Sequence, residues 1–417
     1  MVAAPFGLQY LTDNQLELLQ QFKKRFEDRS EPYLTNEGFL LHWLKGRKYD
    51  LDKAEKLLRR HLRYRESLGM DCYWFLDKEG FPYDKTLVEY YPNGFSGFTK
   101  TGLPVVYHPF GRIDGKGILS SVQTSSIYRT MIRLAEHERS LCRESAAKLN
   151  GEVEQVLVVL DVEGLGLHHL WTPGLSVFLL VCEYYEKHFP EHVYKFMIIN
   201  APSLFPVLFK ILKPMLDEHT KSKIDVYATT GWQEKLLEHV DINQLPVHYG
   251  GTLKTTPDYK KNEPTLVLGG TVPLDRYLHI SNDWAEERNK RKVNIPRGSS
   301  KLFPVHVRNP NHYIVWYLTV GYYDIGVGMF YVSSEYLTDD EVNNLPKEKL
   351  DKSPMVVPHF KLFTLLPEQG QIQVKKTGTF VLQLDNRYSR WTSKDVDFCL
   401  ETRETPVPSI IVHYSCV

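Results

Sequence analysis

The chain has 417 residues, 42% hydrophobic and 24% charged, enough for two or three domains with sizeable cores. Its 51 Lys and Arg balance 51 Asp and Glu, so net charge gives no reason to expect nucleic acid as a partner. The five cysteines, Cys72, Cys142, Cys182, Cys399 and Cys416, are scattered with no CxxC, which favours reduced thiols over a disulfide framework or a zinc site.

No basic segment followed by an apolar run opens the chain, and no apolar run approaches the roughly 20 residues of a membrane span. There is also no N-x-S/T acceptor. These features predict a cytoplasmic protein that meets membranes only peripherally, without metal or cofactor.

Residues 1–78 read as a helical lobe. Thr12 or Asp13 can cap a helix running to Phe26, and GFLLHWLKGRKYD gives a second helical pattern from Gly38. A third, LDKAEKLLRRHLRYRESLG, ends at Gly69, a C-terminal cap. Its Leu51, Ala54, Leu57, Leu58, Leu62 and Tyr64 make a packing stripe, and Arg59, Arg60, Arg63 and Arg65 make the opposite side a solvated basic face.

Over residues 79–252 the period changes. GLPVVYHPFG, EQVLVVLDVEG, KFMIINAP and KIDVYAT are short apolar runs between helical stretches. Val156–Val162 is nearly continuous in apolar residues, the mark of a strand covered on both faces, and a helix ending near His188 suits a right-handed crossover. Strand parity places Val156, Val158, Leu160 and Val162 on one face, and Leu157, Val159 and Asp161 on the other.

Residues 200–224, NAPSLFPVLFKILKPMLDEHTKSKI, stand apart. From Leu204 to Leu212 the apolar positions cover an arc of roughly 200°, twice the stripe that an ordinary surface helix needs. Such a helix either lies sandwiched in a large core or meets apolar material on two sides.

Residues 253–275 read as a Pro-, Lys- and Thr-rich linker, residues 276–402 as a small antiparallel sandwich, and 403–417 as a tail. HYIVWYLTVG, DIGVGMFYV, GTFVLQLDN and KDVDFCLE carry β-branched and aromatic residues between Gly, Asn and Asp turns. The basic run WAEERNKRKVNIPRGSSK suits either a solvated linker helix or an acidic lipid or partner.

Enzyme motifs fail on spacing. GRIDGKG is one residue short of a phosphate loop with no Ser or Thr after Lys116, GFSGF misses the Gly-x-Ser-x-Gly elbow, and His168-His169 lacks the spacing of a metal helix. Asp161 and Glu163 fit a turn cap with a local cation as well as they fit catalysis. A non-enzymatic binding function is the expectation.

FLLHWLKGRKYDLDKAEKLLRRHLRYR resembles the helical lobe of CRAL-TRIO lipid-transfer proteins. VLVVLDVEGLGLHHLW, then YYEKHFPEHVYKFMIINAPSLFPVLFKILKPMLDEHTKSKI, then LPVHYGG, resembles their lipid-binding lobe in order and spacing. The C-terminal region, notably GTFVLQLDNRYS, is similar to a GOLD domain. Together they resemble the supernatant protein factor and tocopherol-associated protein branch, and a cephalopod retinal carrier shares this plan.

The resemblance implies an α/β lipid-binding domain with an N-terminal helical lobe, plus an all-β GOLD-type sandwich. It implies a carrier for a retinoid, tocopherol, squalene or phosphatidylinositol, with the 204–212 helix as a membrane-opened gate. A lipid-dependent sensor signalling through the GOLD domain to a protein partner is the alternative. The implied pocket takes Tyr107, Tyr128, Met131, Ile132, Val158, Leu160, Phe178, Ile198, Asn200, Leu204, Leu208, Ile211 and Leu212. Phe205, Phe209, Lys210 and Lys213 would dock on membrane, and Lys45, Arg47, Glu191 and Lys223 match a phosphoinositide head-group site. Where the family more often has Arg, this chain has Lys45, which lacks Arg's bidentate grip on phosphate.

Overall fold

The computed structural model describes residues 8–68, 70, 84–149, 153–213, 218–257, 264–278, 290–408, 410 and 412–414. Two compact units emerge: residues 1–59, 85–118 and 131–276 form the first, and residues 60–84, 119–130 and 277–417 the second.

Helices α1 (Asp13–Lys24), α2 (Glu37–Lys45) and α3 (Leu51–Leu68) open the chain. Thr12 and Gln15 cap α1 reciprocally, satisfying two donors that a helix start leaves open, and Asn36 caps α2 through the Phe39 N–H at 2.9 Å. The basic face of α3 is not wholly solvated: Arg65 is buried, and Arg59 bonds Glu55 and Asp28.

After α4 (Lys85–Tyr90) come β1 (Gly94–Phe98) and β2 (Pro104–His108), then α5 (Gly115–Ser121), α6 (Thr124–Leu149) and β3 (Val156–Asp161). There follow α7 (Thr172–His188), β4 (Val193–Ile199), α8 (Phe205–Leu212), α9 (Glu218–Ser222), β5 (Ile224–Val226) and α10 (Trp232–His239). The five strands form one sheet in the order β1-β2-β3-β4-β5, antiparallel at the first pair and parallel thereafter. On one face Val105, Leu157, Val159, Met197 and Ile199 are sealed by Trp232, Leu236 and Val240. A strand buried on both sides has no polar positions to alternate, which explains the continuous run at 156–162.

Residues 253–257 and 264–275 differ from the expected linker, and 258–263 lie outside the described residues. Val267 pairs in antiparallel fashion with Asn93, Gly270 pairs in parallel with Ile113, and Leu266, Val267 and Val272 are buried. Buried apolar side chains and satisfied backbone groups hold this segment to the first unit.

The second unit continues with β6 (Arg291–Ile295), β7 (Ser300–Val307), β8 (Tyr313–Val320), β9 (Asp324–Ser333), α11 (Asp339–Asn343) and α12 (Lys347–Lys352). It closes with β10 (Met355–Phe363), β11 (Glu368–Gln373), β12 (Gly378–Asp385), β13 (Lys394–Arg403) and β14 (Val412–Tyr414). Sheets β10-β9-β12-β7 and β14-β11-β8-β13-β6 enclose a core containing Trp316, Met329, Phe380, Leu382 and Phe398. The basic run of the sequence enters strand β6 at Arg291, whose guanidinium lies 4.5 Å from the Phe398 ring centroid; its upstream part, with Trp284 and Arg288, lies outside the described residues.

The expected tail is also built in. β14 pairs in parallel with β11, and Gln371, with no exposed surface, donates to the Val407 and Ile410 carbonyls and accepts from the Val407 N–H at 2.8 Å. Gln371→Ala strands these buried groups and is expected to cost about 2–4 kcal/mol, read as a lower urea midpoint with faster amide exchange at Val407 and Ile410. A loss below about 0.5 kcal/mol would show that water replaces the amide.

Candidate functional site

The sheet face opposite α10 is covered differently. Val162, Leu165, Ile198 and Phe205 form a buried cluster, against which Leu160, Ile224, Phe110 and Phe209 are only partly buried. Phe205 and Phe209, one turn apart on α8, stack with centroids 5.6 Å apart. Phe110 meets Phe178 of α7 at 4.9 Å, which joins α7 to the same apolar surface.

Helix α7 carries TPGLSVFLLVC, apolar on every side. A helix of that kind is ordinarily buried. Here Leu175, Val177, Phe178, Leu179 and Val181 are all only half-buried. Cys182 sharpens the point. Burial among surrounding atoms pushes its thiol up to about 12, yet its side chain keeps accessible surface. Partly accessible apolar side chains in a row along one helix are what the wall of a lipophilic site would present.

Val158, Leu160, Ile198 and Phe178 are brought to this side, by strand parity or by contact, and Leu204 is the half-buried residue before α8. Phe205 and Phe209 turn inward onto the sheet instead of outward. The outer surface of α8 is made by Pro206, Val207 (52% exposed), Lys210 and Lys213. The side chains of Leu208, Ile211 and Leu212 lie outside the described residues.

Other expected pocket residues sit elsewhere. Tyr107 belongs to the face closed by α10, stacked 5.0 Å from Tyr249 with no exposed surface. Tyr128 packs on Phe360 of the sandwich at 5.6 Å, and its hydroxyl accepts from the Lys361 N–H at 3.0 Å. Met131 and Ile132 are buried with almost no accessible surface, as core residues are. Asn200 adopts φ +56°, and its amide is held at both ends: Nδ2 donates to Asp161 Oδ1 and Oδ1 accepts from Trp232 Nε1, each at 2.9 Å. It fastens the ends of β3 and β4. Asp161 and Glu163 serve the turn, Asp161 accepting from the Glu163 N–H and Glu163 pairing with Arg112 at 2.7 Å.

The charged residues gather at the turn before β4. Lys223 Nζ lies 2.8 Å from Glu191 Oε2 and donates to the Val193 carbonyl at 2.9 Å. Lys45, half-buried on α2, has its pKa lowered by burial, with Glu191 opposing and Lys223 reinforcing the shift. Burial and the Glu191 charge also raise the Tyr49 phenol. Lys45, Tyr49 and Lys223 thus all feel the Glu191 carboxylate, which Lys223 meets directly. Arg47 instead donates to the Gly46 carbonyl.

A buried polar group beside this cluster was not legible in the sequence. Glu138 of α6 accepts from the Tyr185 hydroxyl at 3.0 Å and meets His192 Nε2 at 2.9 Å. Both partners lie far away in sequence, so no motif could join them. Among the described residues, no group of three His, Cys, Asp or Glu is placed to hold a metal.

Residues 88–251 match the CRAL/TRIO domain family model, so this segment is a CRAL/TRIO domain, and domains of this family bind lipophilic ligands. The chain is 28% identical over 264 residues to the CRAL-TRIO domain-containing protein T23G5.2 of Caenorhabditis elegans, a match covering 63% of this chain and 35% of that protein. The chain thus spans about a third of that relative's length. Protein ctg-1 of the same organism is 24% identical over 372 residues, covering 88% of this chain and 92% of its own. A crystal structure of Sfh5 shows a distant likeness, with 16% identity and a TM-score of 0.47 over 61% of this chain and 94% of that one.

His42 on α2 ties the helical lobe to the Glu191 turn, its Nδ1 lying 3.1 Å from the Pro190 carbonyl oxygen. Burial, aided by His192, Lys223 and Lys45, holds its pKa at about 3 against an ordinary 6.5. The unfolded chain therefore takes up this proton near pH 6.5 and the native one only near 3, so stability falls as pH drops through that window. His42→Gln keeps a donor for Pro190 without titrating, and its urea midpoint should decline less than the parent's between pH 6.5 and 4. Parallel declines would contradict the assignment.

Proposed function

We propose that this chain is a non-enzymatic, cytoplasmic carrier that holds one lipophilic molecule against β3, β4 and α7 and passes it between membranes when α8 moves. The observation that carries this reading is the half-buried state of the apolar first half of α7, residues 174–182, joined through Phe178 and Phe110 to the cluster that holds Phe205 and Phe209. Each CH₂ moved from apolar surroundings into water costs about 0.8 kcal/mol, so a 20-carbon chain costs on the order of 10 kcal/mol or more to carry bare. A closed cavity removes that cost, and a closed cavity needs a door at the membrane.

α8 suits the door. It is short, starts without a side-chain cap, carries inward rings, and shows the bilayer an outer surface of Pro206, Val207, Lys210 and Lys213. Retinoid, tocopherol and squalene fit a cavity whose described walls are apolar. Phosphatidylinositol is favoured separately by Lys45 and Lys223, two cations gathered at the Glu191 turn. Among the described residues no helix is long and apolar enough to cross a membrane, so membrane contact would be made from one side. The C-terminal sandwich, similar to a GOLD domain, would supply targeting through a membrane or protein partner; a sensor would use the same parts to bind without transferring.

Liposome-to-liposome transfer tests both readings. Lys210→Glu with Lys213→Glu reverses two charges, each worth about 1 kcal/mol at an anionic surface, and should slow transfer by about tenfold or more. An unchanged rate would remove the docking role. With phosphatidylinositol as cargo, Lys223→Ala should slow transfer while leaving tocopherol transfer intact; equal effects on both cargoes would remove the head-group role.

A further inference from the structure

Three loops of the second unit converge at one end of the sandwich: residues 296–299, 321–323 and 386–393. Hydrogen bonds fix their meeting. Asn386, with no exposed surface, donates to the carbonyls of Ile295, Pro296 and Thr392 at 3.1, 3.2 and 2.9 Å. The Gly298 N–H is shared by the Asn386 and Ser389 carbonyls at 3.1 Å. The Tyr388 hydroxyl donates to Asp324 Oδ1 at 2.9 Å, just after the 321–323 loop. Lys394 lies 4.5 Å over the Tyr323 ring, and Lys361 lies 4.4 Å over that of Tyr388.

This rigid platform presents large aromatic surface to solvent. Trp391 is 84% exposed, Tyr322 76%, Tyr323 66% and Tyr388 40%. Among the described residues from 277 onward, only two other large hydrophobic residues are exposed, so these four are a cluster and not scatter. Tyr323 is held at φ +66°, a region where glycine or asparagine ordinarily sits. The loop sequences PRGS, GYY and NRYSRWTS contain three arginines and no acid, and Arg297, Arg387 and Arg390 are exposed.

The chemistry of the patch selects its partner. Arginines stand among the rings, as in NRYSRW, and the three loops carry no acid, so the charge of the patch complements an anionic surface. Tyrosine and tryptophan have an apolar body and a polar tip, which places them at the head-group level of a bilayer. Guanidinium groups beside them match lipid phosphates.

We propose that this end of the sandwich is a docking surface for an anionic membrane, with Trp391, Tyr322 and Tyr323 entering the head-group layer and Arg297 and Arg390 meeting phosphates. The site rests on the second unit alone and is independent of which cargo the first unit carries. The test is co-sedimentation of the full chain with vesicles of phosphatidylcholine containing about one-third phosphatidylserine, at physiological salt. The parent should sediment, and Trp391→Ser and the pair Arg297→Glu with Arg390→Glu should each weaken binding by about fivefold or more, at unchanged urea midpoints. Neutral vesicles should not distinguish the charge variant from the parent. A parent that fails to sediment overturns the proposal. So do variants that sediment like the parent, which would reassign the patch to a protein partner. Loss in the arginine pair with none in Trp391→Ser would also overturn it, because the patch would then attract without inserting.

Discussion

The unequal covering of one parallel sheet governs the first unit. Its α10 face is sealed, with Leu157, Val159, Met197 and Ile199 at or near zero exposure under Trp232 and Leu236. That closed half supplies the packing that lets the other half stay open, since apolar surface left unpaired forfeits both transfer free energy and dispersion contacts. Asn200 links the halves. Bridging Asp161 and Trp232, it ties the ends of β3 and β4 to the sealed side just before the chain turns into α8.

The charged turn is anchored in the same way. Glu191 is held at φ +59°, and its carbonyl accepts from Gln155 while its carboxylate meets Lys223. A non-glycine residue in that region persists only where its surroundings over-determine it. Here His42, Pro190, Glu138 and His192 supply those surroundings from α2 and α6. The helical lobe thereby fixes the geometry of a site to which it contributes Lys45 and Tyr49.

Much of the architecture was legible. The run at 156–162 and the Thr12 cap each reflect a local rule that the fold obeys. Parity separated Val158 and Leu160 from Leu157 and Val159, but it could not say which set faces the opening, because that depends on where α10 returns. This is why Tyr107, apolar and aromatic like a pocket residue, lies in the sealed core. Tyr128 of α6 was misplaced for a related reason: its packing on Phe360 joins residues far apart in the chain, which no local pattern announces. Neither the pinned 264–275 segment nor the Glu138–His192 pair has a local signal, since both depend on contacts made by distant chain.

The central claim is that the space beside α7 holds a lipophilic molecule. Native mass spectrometry of the full chain, incubated in turn with retinal, tocopherol, squalene and phosphatidylinositol vesicles, tests it most directly. The account predicts one bound molecule of at least one of these, and loss of that adduct when Phe178→Trp and Val181→Trp fill the space. A chain that takes up none of them, or that keeps its adduct with both tryptophans in place, would contradict it.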